Sequence, residues 1–134
     1  MIYINIARQY AAHVFCAGTR EEGCSGDWAA GHWQTFVDYD HDGIVDVNEP
    51  QLQRARIVGI QRSVSVDANG PFKTGVVFMP AGGAAERISG AFAAGRVRVC
   101  AATSISPNVI DIVLSKSGRV RLEHHDFNGE CPAL

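Results

Sequence analysis

The last third of this 134-residue chain leaves few architectures open. Arg96-Val97-Arg98-Val99-Cys100, Val109-Ile110-Asp111-Ile112-Val113-Leu114 and Arg119-Val120-Arg121-Leu122 alternate or run apolar, with turn residues between them. Runs of this kind are β-strands that bury at least one face. The last two are joined by Ser115-Lys116-Ser117-Gly118, a hairpin-length connection. Gly95-Arg96-Val97-Arg98-Val99 and Gly118-Arg119-Val120-Arg121-Leu122 are near copies. In each, period 2 puts both arginines on one face and the apolar residues on the other. The plainest reading is two amphipathic strands with solvated arginines.

A sheet with one apolar face needs a second layer. Residues 2–12 show helical spacing, Ile4 with Ala7 and Ala11 and Ile6 with Tyr10, and read as the end of a helix. His13–Cys16 reads as a first strand and Trp33–Val37 as another. Arg56–Val66 alternates roughly and is closed by the turn signal Asp67-Ala68-Asn69-Gly70-Pro71. Gly75–Met79 reads as one more strand, ended by Pro80. The order predicts an α+β fold, a helix end packed on about six or seven antiparallel strands. One domain is expected over residues 1–134, with 13–134 as its β-rich head.

Hydrophobic content of 46% and charged content of 19% suit a globular chain able to bury a core. The net charge of -2 gives no global signal for a nucleic-acid partner. Cys16, Cys24, Cys100 and Cys131 include no C-x-x-C pair, so zinc and thioredoxin-like readings give way to two disulfides. Disulfides place the chain in an oxidising compartment. Three pairings are open; Cys16–Cys24, closing a short glycine-containing loop, and Cys100–Cys131, tying down the tail, are preferred. Residues 1–15 carry no export leader, which suggests a native N-terminus removed ahead of Met1.

Charge is unevenly spread: eight of the fourteen acids fall within residues 21–49. Residues 38–49 fit the twelve-residue calcium-loop pattern, with Asp38, Asp40, Asp42, Gly43, Asp46 and Glu49 at the constrained positions and Ile44 offering a backbone carbonyl. A calcium hand needs a helix on each side. Here Pro50 follows Glu49 directly and Trp33–Val37 reads as a strand, so an acidic turn between strands is preferred. A structural Ca²⁺ held by Asp38, Asp40, Asp42, Ile44, Asp46 and Glu49 is the alternative, and no other cofactor is expected.

Catalysis finds little support. His124-His125-Asp126 reads as a solvated tail, since adjacent strand residues face opposite ways. No phosphate loop, nucleophile elbow or paired-carboxylate constellation is present, so a non-enzymatic protein is expected. Lys116, Arg119 and Arg121 lie within six residues and could grip a DNA backbone without reading bases. Arg96 and Arg98 would join them if their strand lies beside the last.

Several segments line up in order: Ile6-Ala7-Arg8, Val14-Phe15-Cys16, Cys24-Ser25-Gly26-Asp27-Trp28, Gly31-His32-Trp33-Gln34-Thr35-Phe36-Val37-Asp38, Asn48-Glu49-Pro50-Gln51-Leu52, and Ile112 through Arg121. Together they resemble the GspH/FimT family of minor type IV pilins and type II secretion pseudopilins. The resemblance implies a hydrophobic N-terminal helix, inserted in the inner membrane and later in the filament core. It also implies a periplasmic β-rich head, other major and minor pilins as partners, and a cell-surface pilus after assembly. In the FimT branch a terminal G-R-x-R motif binds DNA in natural transformation; Gly118, Arg119, Val120 and Arg121 match it here, with Lys116 in support. FimU-like and GspH-like branches are structural and prime the filament. The expectation is a minor pilin head with double-stranded DNA as ligand, a purely structural subunit being the alternative.

Overall fold

A computed structural model of the chain describes residues 12–40, 42, 44–57, 63–78, 86–87 and 93–134. The helix expected over residues 2–12 lies outside these, apart from Ala12, which begins a strand. The strands are β1 Ala12–Ala17, β2 His32–Asp38, β3 Gln51–Arg56, β4 Val64–Ala68, β5 Val76–Phe78, β6 Glu86–Arg87, β7 Gly95–Ala101, β8 Val109–Leu114 and β9 Val120–His125. Two short 3-10 turns, Trp28–Ala30 and Gly70–Lys73, are the helical pieces among the described residues. The described chain is therefore almost entirely antiparallel β, with nine strands where six or seven were expected.

One expected strand divides. Arg56 ends β3 and Val64 begins β4, so Arg56–Val66 is not a single strand. The cause is that β3, Gln-Leu-Gln-Arg-Ala-Arg, lies at the edge of its sheet and pairs only with β2. An edge strand with polar residues on its open side shows little hydrophobic alternation. The first sheet runs β3-β2-β1-β5-β6 and the second β4-β7-β8-β9.

The two sheets share one apolar core. Ala17 and Val76 from the first meet Val66, Ala68, Val97 and Leu114 from the second, with Trp28 and Phe72 between them. Phe15 lies 5.8 Å from the Trp28 ring, 5.5 Å from Trp33 and 6.2 Å from Phe72. Trp28 Nε1 donates to the Phe72 carbonyl at 2.8 Å, so the buried indole N–H is satisfied.

The first sheet is covered on its other face as well. Val14, Cys16, Phe36 and Val77 form a second cluster, against which Cys24 and Val45 pack from the loops that follow β1 and β2. Buried Gln34 fastens the first loop by donating to the carbonyls of Thr19 and Gly23. Gly26 is required nearby: its φ is +73°, and an added Cβ would stand 2.1 Å from the Lys73 carbonyl oxygen.

Candidate functional site

Strand alternation sorts the second sheet into an apolar inner face and a charged outer one. Across β7, β8 and β9, Arg98 stands opposite Asp111, and Asp111 opposite Glu123. Arg96 and Arg121 flank that row from the next rung but one on the same face. Arg98 holds Asp111 with a fork, Nε to Oδ1 at 2.8 Å and Nη2 to Oδ2 at 2.9 Å. Arg96 reaches Asp111 at 2.8 Å and Glu123 at 3.2 Å. The Asp111 side chain is fully buried, and only this pairing makes such burial tolerable. The Arg98 guanidinium, ahead of the Arg96 one and against the cost of burial, holds the Asp111 carboxyl below the usual aspartate range.

The tail covers this ladder. Cys100 and Cys131 form a disulfide, and Cys16 and Cys24 form another. Beyond β9 the chain turns back: Arg98 Nη1 donates to the Pro132 carbonyl and its guanidinium lies 5.4 Å over the Phe127 ring. The Leu134 backbone N–H donates to Asp67 on β4. His124 and His125 are not a solvated tail but the end of β9. His125 Nε2 stands 3.3 Å from Asp111 Oδ2 and its ring stacks on Phe127. The neighbourhood of Asp111, Glu123 and His125 could suggest a metal triad. The two guanidiniums already on Asp111 make it an ion-pair network instead.

The second Arg-Val-Arg copy sits differently. Gly118 takes a φ of +81° in the β8–β9 turn, closed by Ser115 and Arg119 pairing through their backbones at 2.9 Å. Glycine here serves the left-handed turn conformation. Lys116 and Arg119 are exposed, and among the described residues no carboxylate pairs with either side chain. Arg121 is 59% exposed and, among the described residues, bonds only to Glu123, at 2.7 Å. Lys116 and Arg119 thus lie at the exposed end of the hairpin, while Arg121 stays on the ladder face and shares Glu123 with Arg96.

The acidic hairpin draws together four of its five expected carboxylates. Carboxylate oxygens of Asp38, Asp40, Asp42 and Glu49 all lie within 4.8 Å of one another, a donor set of the kind hard cations take. The Asp46 carboxylate falls outside that group and hydrogen-bonds Asp40. Buried Glu49 turns its oxygens onto the loop itself, accepting from the Tyr39 and Asp46 amides at 2.5 and 2.9 Å. Arg20 completes the closure by donating to the carbonyls of Glu49 and Asp46 at 2.9 and 3.1 Å. Asp46 is pushed up to about 6, first by its hydrogen bond with Asp40 and then by desolvation and the charges of Asp40, Asp42 and Glu49. Sequence reasoning missed Arg20, whose partners are backbone carbonyls and carry no sequence signal.

The chain is thus two disulfide-clasped antiparallel sheets, with ion pairs on one outer face and an acidic loop folded over the other. The family described as "Type II transport protein GspH" matches residues 6–118. The chain belongs to that family, whose members are inner-membrane-anchored pseudopilins with periplasmic heads. The match stops at Gly118, before Arg119 and Arg121. No curated protein and no solved structure matches the chain.

Proposed function

We propose that this chain is the head of a non-enzymatic minor pilin or pseudopilin that assembles with other pilins, and that its β8–β9 hairpin holds double-stranded DNA by the backbone. The observation that supports the DNA reading is the trio Lys116, Arg119 and Arg121, all exposed, with only Glu123 as acidic partner among the described residues. Their contacts would go to phosphates, without base readout and with steep salt dependence. Arg96 and Arg98 contribute to the sheet and not to DNA, because Asp111 holds both.

The helix of the fold expected at the outset belongs to the same reading. A 160 Å³ groove between the sheets is lined by Val14, Phe15, Phe78, Ile112, Leu114 and Val120, with His13 and Thr35 beside them. Val120 and Leu122 extend its apolar rim, each nearly three-fifths exposed. An exposed apolar groove of this kind is a surface that the membrane-anchored N-terminal helix of the family would cover.

Titrating the protein with a short duplex at low salt tests the DNA reading. Arg119→Ala/Arg121→Ala should weaken binding about tenfold or more and lower the salt slope by about one per arginine. Unchanged affinity, or no binding by the native chain, leaves the structural-subunit reading alone standing. The calcium alternative for residues 38–49 is separable: it requires CaCl2 to raise Tm, and Asp40→Ala to abolish the rise.

A further inference from the structure

A second set of unpaired cations lies on the far side of the molecule, on the edge strand β3. Arg54 stands opposite Gln34 and Arg56 opposite His32. Arg54 and Arg56 therefore share the outer face of the first sheet, two residues apart and about 7 Å between Cα atoms. The loop following β1 lies over that face, and the space between is a 360 Å³ cavity lined by Thr19, Arg20, Glu21, His32, Arg54 and Arg56, among others.

The charges here are not spent. Among the described residues, neither Arg54 nor Arg56 makes a side-chain hydrogen bond or ion pair. Arg20 bonds to three backbone carbonyls, which accept hydrogen bonds without cancelling its charge. Glu21 is the one acid in the lining, and among the described residues it pairs with none of the three. The contrast with Arg96, Arg98 and Arg121, all on carboxylates, is complete. Three arginines against one acid leave the concave lining net positive, which concentrates its field and its counter-ions.

We infer that this cavity binds a phosphoryl group of a small ligand. The donor count favours phosphate over carboxylate. One guanidinium fork satisfies both oxygens of a carboxylate and would leave the second arginine uncompensated. Two guanidiniums with the His32 ring match the several oxygens and double charge of a phosphate. The Thr19 hydroxyl, which accepts from the Glu22 amide at 3.2 Å, keeps its own proton to donate. The cavity's strands, β2 and β3, belong to the first sheet and the β8–β9 hairpin to the second, so the site stands whether or not DNA binds at the hairpin.

The test is an amide-resolved NMR titration of the intact chain with inorganic pyrophosphate at low salt, alongside an equal titration with a glutamate-rich peptide. Pyrophosphate should shift the amides of Gly18–Glu21, His32 and Arg54–Arg56 together. Arg54→Ala and Arg56→Ala should each weaken binding about tenfold, with unchanged Tm because both side chains are exposed. Arg54→Lys/Arg56→Lys should recover only part, since a point charge does not replace a fork. Arg119→Ala should leave the pyrophosphate response untouched. The inference is overturned if those amides do not move, if binding survives Arg54→Ala/Arg56→Ala, or if the acidic peptide binds the cavity more tightly than pyrophosphate.

Discussion

The two Arg-Val-Arg copies began as the same sequence signal and ended in opposite circumstances. The β7 copy lies inside its sheet, between β4 and β8. Both its arginines bond Asp111, and the tail covers Arg98, whose side chain is 11% exposed. The β9 copy forms the sheet edge, and its arginines face solvent. Position in the sheet, not local sequence, decides whether an arginine is a structural cation or an available one. Glu123 is the hinge of the comparison, because it bonds to one arginine of each copy, Arg96 and Arg121.

The largest test breaks the lock on the inner copy. Asp111→Ala strands two guanidiniums in a half-buried place and should cost about 3 kcal/mol in denaturant unfolding. Glu123→Ala, on the edge, should barely move the midpoint. If the two cost the same, the asymmetry between the copies is not electrostatic in origin.

Next in size is removal of the clasp. Cys100→Ser/Cys131→Ser opens a bond spanning 31 residues and should cost about 2–4 kcal/mol. Duplex affinity should not rise, since Asp111 still holds Arg98. A rise would mean that the tail, and not Asp111, had been hiding the inner arginines.

A smaller effect should follow from Glu123→Gln. Releasing Arg121 should strengthen duplex binding severalfold, while Arg96 stays on Asp111; weaker binding would show that Glu123 positions Arg121 rather than occupying it.

The smallest effect is in pH. The ladder acids Asp111 and Glu123 are depressed, by Arg98 and Arg121 respectively before other causes. Their stabilisation is complete above the ordinary carboxylate range and is lost as pH falls below it. Asp46 goes the other way. Raised to about 6, it holds its proton more tightly when folded, so its contribution is present in acid and disappears as pH climbs toward 6. Asp46→Asn should flatten the fall in Tm between about pH 4 and 6 and leave the acid limb alone. An unchanged slope would separate Asp46 from that transition.

Much of the fold could be read from period-2 patterning where one face is buried: β1, β2, β7 and β8 lie where alternation or apolar runs placed them, and β9 begins there but runs on to His125. Of the three pairings open to the four cysteines, the preferred one, Cys16 with Cys24 and Cys100 with Cys131, is the one that forms. What stayed hidden has a common cause. β3 is polar on its open side, Arg20 bonds to carbonyls, and His125 meets Asp111 only after β9 has paired with β8. Each depends on a neighbour distant in sequence. The hairpin tip was legible because its turn, its glycine and its cations are contiguous. The β3 cavity was not, because Arg20, His32 and Arg56 come from three separate segments.

The Cys100–Cys131 bond also sets a load path. A pull between the start of β1 and the chain's end enters at Cys131 and crosses the sulfur bridge to Cys100, bypassing all of β8 and β9. Tension along a filament would leave those strands slack. A ligand tugging on Arg119 or Arg121, by contrast, pulls inside a closed covalent ring, whose two ends converge on β7 and cannot be drawn out one without the other.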